Sequence, residues 1–472
     1  MTGTRGPPFL FVFNFAKFVN LTLCRTLLRS MIWKVMKHQR GETAMRIRDW
    51  DRNLKVRLFG EALLNLTFWM FFPFLTIYFT EAFGKEKAGI LLIGSQVFSV
   101  LANLLGGYYA DRYGRKKMMV LSAFGQGVAF LVFGFANSPW LESATLGFIC
   151  FTFAGMCGSV YWPASQAMVA DVVDEKERSN VFAVFYTSIN IAVVLGPMLG
   201  GIFYVHYRFQ LLAVSGLVCM LLAFMLFKWT RETAPLLVNN DGAEAIQKLK
   251  WHEALWNQVK DYRVIIRDKT FLLFIIAGVL AAQTFMQLDL LIPVYIKETI
   301  KEAPLLHFGD WSLNLRSEQI FGFVLSENGL LVALFTVFVT KWMTKYYERN
   351  VFMISSIVYG LAIFMMGQFG TVWGMIIAMA FFTFAELMTV GIQQSFISKL
   401  APEHMRGQYF AAASLRFTIG RTLAPLSIPL TTLFGYEWTF LSLTFLAVLS
   451  AAIYWLMFRR FEKDKTETAS AQ

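Results

Sequence analysis

The chain has 472 residues, 56% hydrophobic and only 16% charged, with 48 Phe and a formal net charge of +12. A soluble protein is about a quarter charged and just under half apolar, so this composition excludes an ordinary soluble domain. The apolar residues fall in runs of about twenty, long enough to cross a bilayer core of about 30 Å.

In chain order, residues 1–44 come first and are basic, with apolar patches broken by Lys17, Asn20 and Arg25. Their basic flank follows the apolar region, against the pattern of a cleaved signal peptide. An interfacial anchor, a tail without fixed structure, or an upstream extension on a chain whose working start is Met45 remain as readings, and the last is preferred. Twelve spans are then expected, at 57–80, 88–110, 117–137, 145–171, 180–204, 208–228, 270–296, 319–341, 350–369, 371–399, 407–431 and 435–459. Residues 45–228 thus make an N-terminal six-helix half and 270–460 a C-terminal one. A basic linker at 229–269, with a short amphipathic helix near 244–266, joins them, and 461–472 form a tail. The expected fold class is an all-α polytopic membrane protein of about twelve transmembrane helices in two six-helix halves.

The basic residues sit at alternate junctions and are not gathered on a nucleic-acid-binding helix. Arg112, Arg115, Lys116 and Lys117 follow span two, Lys341, Lys345 and Arg349 follow span eight, and Arg459, Arg460, Lys463 and Lys465 close the chain. The opposite junctions NSPWLES, GQFGTVWG and FGYE contain no Lys or Arg. Positive charge stays in the cytoplasm, so both termini are predicted inside and the chain is placed in the cell (plasma) membrane. The loop at 297–318, the longest on the outer face, shows no chemistry. Cys24, Cys150, Cys157 and Cys219 lack metal-ligand spacing and read as small buried side chains. No metal or cofactor is expected. An enzyme is not expected either, since GxxxxGK[ST] and HExxH are absent and the five His are scattered.

Internal repetition supports two halves. One fixed offset places Arg178 on Arg406, Phe182 on Phe410, Pro197 on Pro425 and Gln166 on Gln394.

The stretch GYYADRYGRKK follows span two directly. Gly107 lets a neighbouring helix approach closely. Asp111 ends the span where a carboxylate can pair with basic groups or cap the positive end of an adjacent helix. Gly114 permits a tight turn, and Arg112, Arg115 and Lys116 anchor it to the inner leaflet. This pattern resembles the G-x-x-x-D-R-x-G-R-K/R signature of the major facilitator superfamily, and the resemblance implies a conformational latch. In span five, AVVLGPMLGG is similar to the antiporter motif G-x-x-x-G-P-x-x-G-G. Gly196, Pro197, Gly200 and Gly201 are in place, with Ala192 where the first glycine usually stands. Small residues and a proline make a closely packed, bent helix, and the motif implies efflux.

From about Asp49 to Phe461 the chain also resembles the LmrP-like multidrug efflux proteins of that superfamily, through RDWDRNLKVRL, MQLDLLIPVYI and AELMTVGIQQSFISKLAPE. That resemblance implies proton coupling and cationic drug binding at Asp289 and Glu386, with Asp171 at the inner end of span four as a further acid. It departs from the wider antiporter pattern by lacking an Arg in span four, where FTFAGMCGSV stands.

Residue chemistry converges on the same acids. A carboxylate at bilayer depth is costly and faces a cavity or a partner, and Glu61, Asp289, Glu327 and Glu386 are such groups. Glu386 shares a polar stripe with Thr383 and Gln393, and Asp289 a face with Gln283 and Met286, one turn before Pro293. A buried acid bonded to a neighbouring helix is the competing reading for each. Spans seven to ten carry no Lys or Arg at comparable depth, although Arg416 and Arg421 appear in span eleven. Tyr161, Trp162 and Tyr186 are candidates for stacking and cation–π contact, with Asn190 beside them.

The expected function is a secondary transporter that exports lipophilic cations in exchange for protons by rocking of the halves. Its expected partners are small cationic drugs, protons and membrane lipids, with no nucleic acid, and it is expected as a monomer. A lipid or glycolipid flippase is the alternative if Arg416 or Arg421 points inward. Proton-coupled nutrient or peptide uptake is a third reading.

Overall fold

The computed structural model describes residues 47–234, 252–253, 256, 260, 267–308, 311–402 and 406–470. The N-terminal extension, nearly all of the linker helix expected near 244–266, and the end of the tail lie outside them. Ten helices are long and apolar enough to cross a membrane. Asn180–Trp229 has 50 residues and Ala412–Lys463 has 52, each about 75 Å of helix and more than twice a bilayer core. The first is broken at Tyr207, with φ −126° and ψ 30°. The second is broken at Gly435, with φ 78° and ψ 170°, a backbone that favours glycine. Each therefore makes two spans, and twelve result.

Polar side chains at the junctions set where helices begin. Asp51, Ser143, Asp268 and Thr371 cap spans one, four, seven and ten by accepting from backbone N–H groups at 2.8, 3.3, 2.9 and 3.2 Å. Span one starts at Arg52, five residues before the apolar run. The last helix continues to Ser470, so the expected tail is helical where it is described. Two junctions at the end opposite the basic one form hairpins, Asn137–Ser138 with Leu141–Glu142 and Glu302–Phe308 with Trp311–Arg316. The second is the 297–318 loop, and the Trp373 indole donates to its Leu305 carbonyl at 3.1 Å.

Spans one and seven are discontinuous. Span one runs Arg52–Phe71, tightens to a 3-10 turn at Phe72–Phe74 that contains Pro73, and resumes at Leu75–Phe83. Span seven runs Lys269–Phe285, tightens at Met286–Leu288 and resumes at Leu291–Thr299. Pro293 has no N–H to offer the carbonyl four residues back, and that freed carbonyl, of Asp289, accepts from the Thr76 hydroxyl at 3.0 Å.

The core shows which way the molecule is closed. At the end away from the Asp111 motif one apolar cluster joins the halves, with Phe71, Phe74 and Phe133 packed in the same body as Leu291, Phe321 and Ile428. At the basic end the core divides. Met119, Ala164 and Leu222 belong to a cluster of the N-terminal half, and Phe271, Phe352, Phe396 and Phe458 to one of the C-terminal half. The halves are shut at the far end and parted at the basic end.

Candidate functional site

The span-five glycines make the shut end. A Cβ on Gly201 would lie 2.7 Å from the Glu318 carbonyl oxygen and 3.0 Å from the Gln319 Cα of span eight, and Gly322 faces the Pro197 carbonyl just as tightly. Gly196 and Gly200 bring the same helix onto the backbone of Trp69 and Met70 in span one. Ion pairs ring this contact. Lys297 donates to Glu318 and lies 3.6 Å from Glu81 of the other half. Lys85 reaches Glu298 across the halves at 2.6 Å, and the Tyr436 hydroxyl donates to the same carboxylate at 2.8 Å.

At the parted end, the motif after span two bonds within its own half. Arg115 pairs with Asp111 at 2.5 Å and with Asp171 at 2.9 Å, and Asp171 also accepts from the Thr233 hydroxyl at 3.0 Å. Arg112 donates to the Tyr108 hydroxyl at 2.7 Å. Gly114 turns with φ 105°. Of the two roles open to Asp111, it takes the pairing one. Helix capping falls to Glu232, which accepts from the Lys116 backbone at 3.2 Å, while the Lys116 ammonium donates to the Thr230 carbonyl at 2.7 Å. Gly107 has open space around its Cβ position, whereas Gly106, one residue earlier, packs against the Val160 backbone. Asp171 is thus placed with Arg115 and Asp111 at the basic end and not with the acids of the C-terminal half.

Glu61 has a basic partner that sequence reasoning missed. Arg57, 1% exposed, donates from Nε to Glu61 at 2.8 Å and from Nη1 to the Ser165 carbonyl at 2.8 Å, and also reaches the Ser165 hydroxyl. The Tyr161 hydroxyl donates to the same Glu61 oxygen at 2.7 Å, and the Phe185 ring lies 4.8 Å from the guanidinium. Span four carries no Arg, and span one supplies it instead. The signal was the spacing of Arg57 and Glu61 by one helical turn, at the margin of the apolar run. Tyr161 is buried in this cluster, whereas Trp162 is 52% and Tyr186 53% exposed. The Asn190 amide donates to the Tyr186 carbonyl at 2.9 Å.

In the C-terminal half, Asn328 of span eight donates to Glu386 at 3.0 Å and to the Thr383 hydroxyl at 3.0 Å. Glu386, Thr389 and Gln393 face a cavity of about 220 Å³ together with Phe285, Tyr359 and Arg416. Their spacing of three and seven residues puts three oxygen-bearing side chains on one stripe. Arg416, 2% exposed, packs on the Phe274 ring at 4.4 Å, donates from Nε to the Ala413 carbonyl at 2.8 Å and interacts electrostatically with Tyr454, while its Nη1 is buried with no hydrogen-bond partner among the described residues. Oε2 of Glu327 and Oδ1 of Asp289 are also buried without hydrogen-bond partners among the described residues. Asp289 lies at the break in span seven and within electrostatic reach of Arg421. Asp289 thus has a guanidinium of span eleven within electrostatic reach, whereas Arg416 and Glu386 line one cavity without an ion pair within 4 Å among the described residues. Among the described residues no group of three or more His, Cys, Asp or Glu is placed to hold a metal ion.

These features agree with what the chain is similar to. The Na(+), Li(+), K(+)/H(+) antiporter of Planococcus maritimus is 57% identical over 425 residues, covering 89% of this chain and 99% of that protein. The multidrug resistance protein MdtH of Escherichia coli (strain SE11) is 22% identical over 77% of this chain and 82% of that protein. A crystal structure of a POT family transporter with a thioalcohol-conjugated peptide superposes with a TM-score of 0.69 at 17% identity, over 87% of this chain and 96% of that one, which shows the fold. The sequence matches the Major Facilitator Superfamily over residues 58–309 and 302–472. With twelve spans, a charged motif after span two and a tight glycine contact between the halves, the chain is a multi-pass transporter of the Major Facilitator Superfamily.

Proposed function

We propose that this chain exchanges protons for monovalent metal cations by alternating access, with Glu386 as the carboxylate that proton and cation occupy in turn. The observation that carries the reading is the setting of Glu386, which borders a cavity, is held by a neutral amide and stands among oxygen donors. A carboxylate with hydroxyl and amide oxygens is a donor set for hard cations. The printed activity of the Planococcus relative supports the same cargo.

The basic end faces the cytoplasm in this reading, so the structure is the inward-open form. A cytoplasmic cation enters and takes Glu386. The halves rock, the glycine contact between spans five and eight opens, and an external proton displaces the cation. Asp111 and Asp171 then latch the cytoplasmic end through Arg115, a pairing that in the inward-open form stays within one half. Asp289, opposite Arg421, and Glu327 are secondary carboxylates along the path. Arg416 lines the same cavity as Glu386.

Lipophilic cations are a second reading of the same site. Phe285, Tyr359 and Phe417 line the Glu386 cavity, where cation–π contacts contribute about 0.5–2 kcal/mol each, and the MdtH relative is named for multidrug resistance.

The test is a proteoliposome with an imposed pH gradient and an internal pH dye. Added Na⁺, K⁺ or Li⁺ should collapse the gradient with wild-type protein and not with Glu386→Gln. A tetraphenylphosphonium arm reads the second cargo. Equal collapse by Glu386→Gln would remove the carboxylate from the mechanism.

A further inference from the structure

A second, larger cavity of about 450 Å³ lies among spans one to four and is bounded by Arg421 of span eleven. Its volume falls in the roughly 300–1,000 Å³ range of pockets for small organic molecules. A bare metal ion needs a cage of oxygens at about 2.0–2.6 Å, and this room is far too wide to be one.

The wall has two chemistries. Phe68 and Phe72 stack with centroids 4.5 Å apart, and the half-exposed Trp162 offers a broad ring face to the same space. Gln96 and Gln126 bring amides, and Thr152 a hydroxyl that is buried with no hydrogen-bond partner among the described residues. A buried hydroxyl left without a partner costs about 1–3 kcal/mol, and a ligand's polar atom would relieve that cost.

Arg421 is the only charged residue among those lining the cavity. It lines the cavity with part of its surface exposed, and Asp289 acts on it electrostatically without an ion pair within 4 Å among the described residues. Its guanidinium therefore keeps donors to offer, in the planar fork that fits a carboxylate. A positive group on an otherwise neutral wall disfavours a cationic guest.

We propose that this cavity is a second cargo site, for an aromatic organic anion whose carboxylate sits on Arg421 and whose ring lies against Trp162 and the Phe68–Phe72 pair. The proposal goes beyond cation exchange at Glu386 and does not depend on it. Because Arg421 belongs to the C-terminal half and the rest of the wall to the N-terminal half, such a guest bridges the moving bodies. Rocking of the halves then separates the carboxylate from its guanidinium, which gives a route to release.

The experiment is equilibrium binding of radiolabelled 1-naphthoate, 1-naphthamide and 1-naphthylmethylammonium to the full chain in lipid nanodiscs, with empty discs subtracted. Loss of one charge-assisted contact corresponds to at least about tenfold in affinity. Wild type should bind naphthoate at least about tenfold more tightly than the amide or the amine. Arg421→Gln should bring naphthoate down to the amide's level while leaving the amide unchanged, which also reports that the variant is folded. Arg421→Lys should retain part of the preference, and Trp162→Leu should weaken acid and amide alike. Equal binding of the three probes, preference for the amine, or undiminished naphthoate binding to Arg421→Gln overturns the site. The three-probe comparison on wild type decides the matter alone if Arg421→Gln does not fold.

Discussion

Adding one methyl group at Gly201 should hold the molecule away from the conformation described here. The Cβ of Gly201→Ala would stand 2.7 Å from the Glu318 carbonyl oxygen and 3.0 Å from the Gln319 Cα. Comfortable separation is about 3.5 Å, so the two helices must part by roughly 0.5–0.8 Å. Both obstacles are backbone, which no rotamer change moves aside. Overpacking of this kind costs about 1–3 kcal/mol, and only the state with this end shut bears it. The ratio of shut to open molecules should fall by about 5- to 150-fold. Spin labels on cysteines at Trp140 and Leu433, exposed positions near the far end of each half, read the change by pulsed dipolar spectroscopy in a background without native cysteines. The variant should populate a longer distance that wild type shows weakly. An unchanged distribution would mean that the span-five glycines do not form the gate.

Two further predictions concern the buried charges and the latch. Arg57→Gln should lower stability by about 3–5 kcal/mol, because it strands the Glu61 carboxylate, whereas Arg57→Met with Glu61→Met should recover much of the loss; thermal unfolding in detergent measures both, and equal loss in single and double variants refutes the pairing. Asp111→Asn should change the unfolding temperature little, since an exposed ion pair contributes about 0–1 kcal/mol, but should abolish exchange in vesicles; full exchange by this variant would refute the latch.

Hydropathy made the spans legible, and it also marked the two places where one long helix turns back, because VHYRF and FGYE interrupt the apolar runs at Tyr207 and Gly435. Arg57 opens the expected first span and its one-turn spacing from Glu61 is visible locally, but Tyr161 and Ser165 come from span four, which no local window compares with span one. Pro293 signalled a bend, while the break itself falls at Met286–Leu290, where the missing N–H has its effect. The wall around Arg421 was illegible because five helices contribute to it and none is conspicuous alone. Which end is open is written in no motif, since one sequence must accommodate both forms.

The divided core sets an inequality between the two end states. Swinging open the far end would uncover Phe71, Phe74 and Phe321 to water, whereas the latch end exchanges mostly charged groups. Apolar exposure carries a positive heat capacity and loses its penalty on cooling, and exposed ion pairs weaken with salt. Cooling should therefore ease opening of the far end, whereas low salt, which strengthens the Lys85–Glu298 and Lys297–Glu81 pairs that cross the halves there, should oppose it.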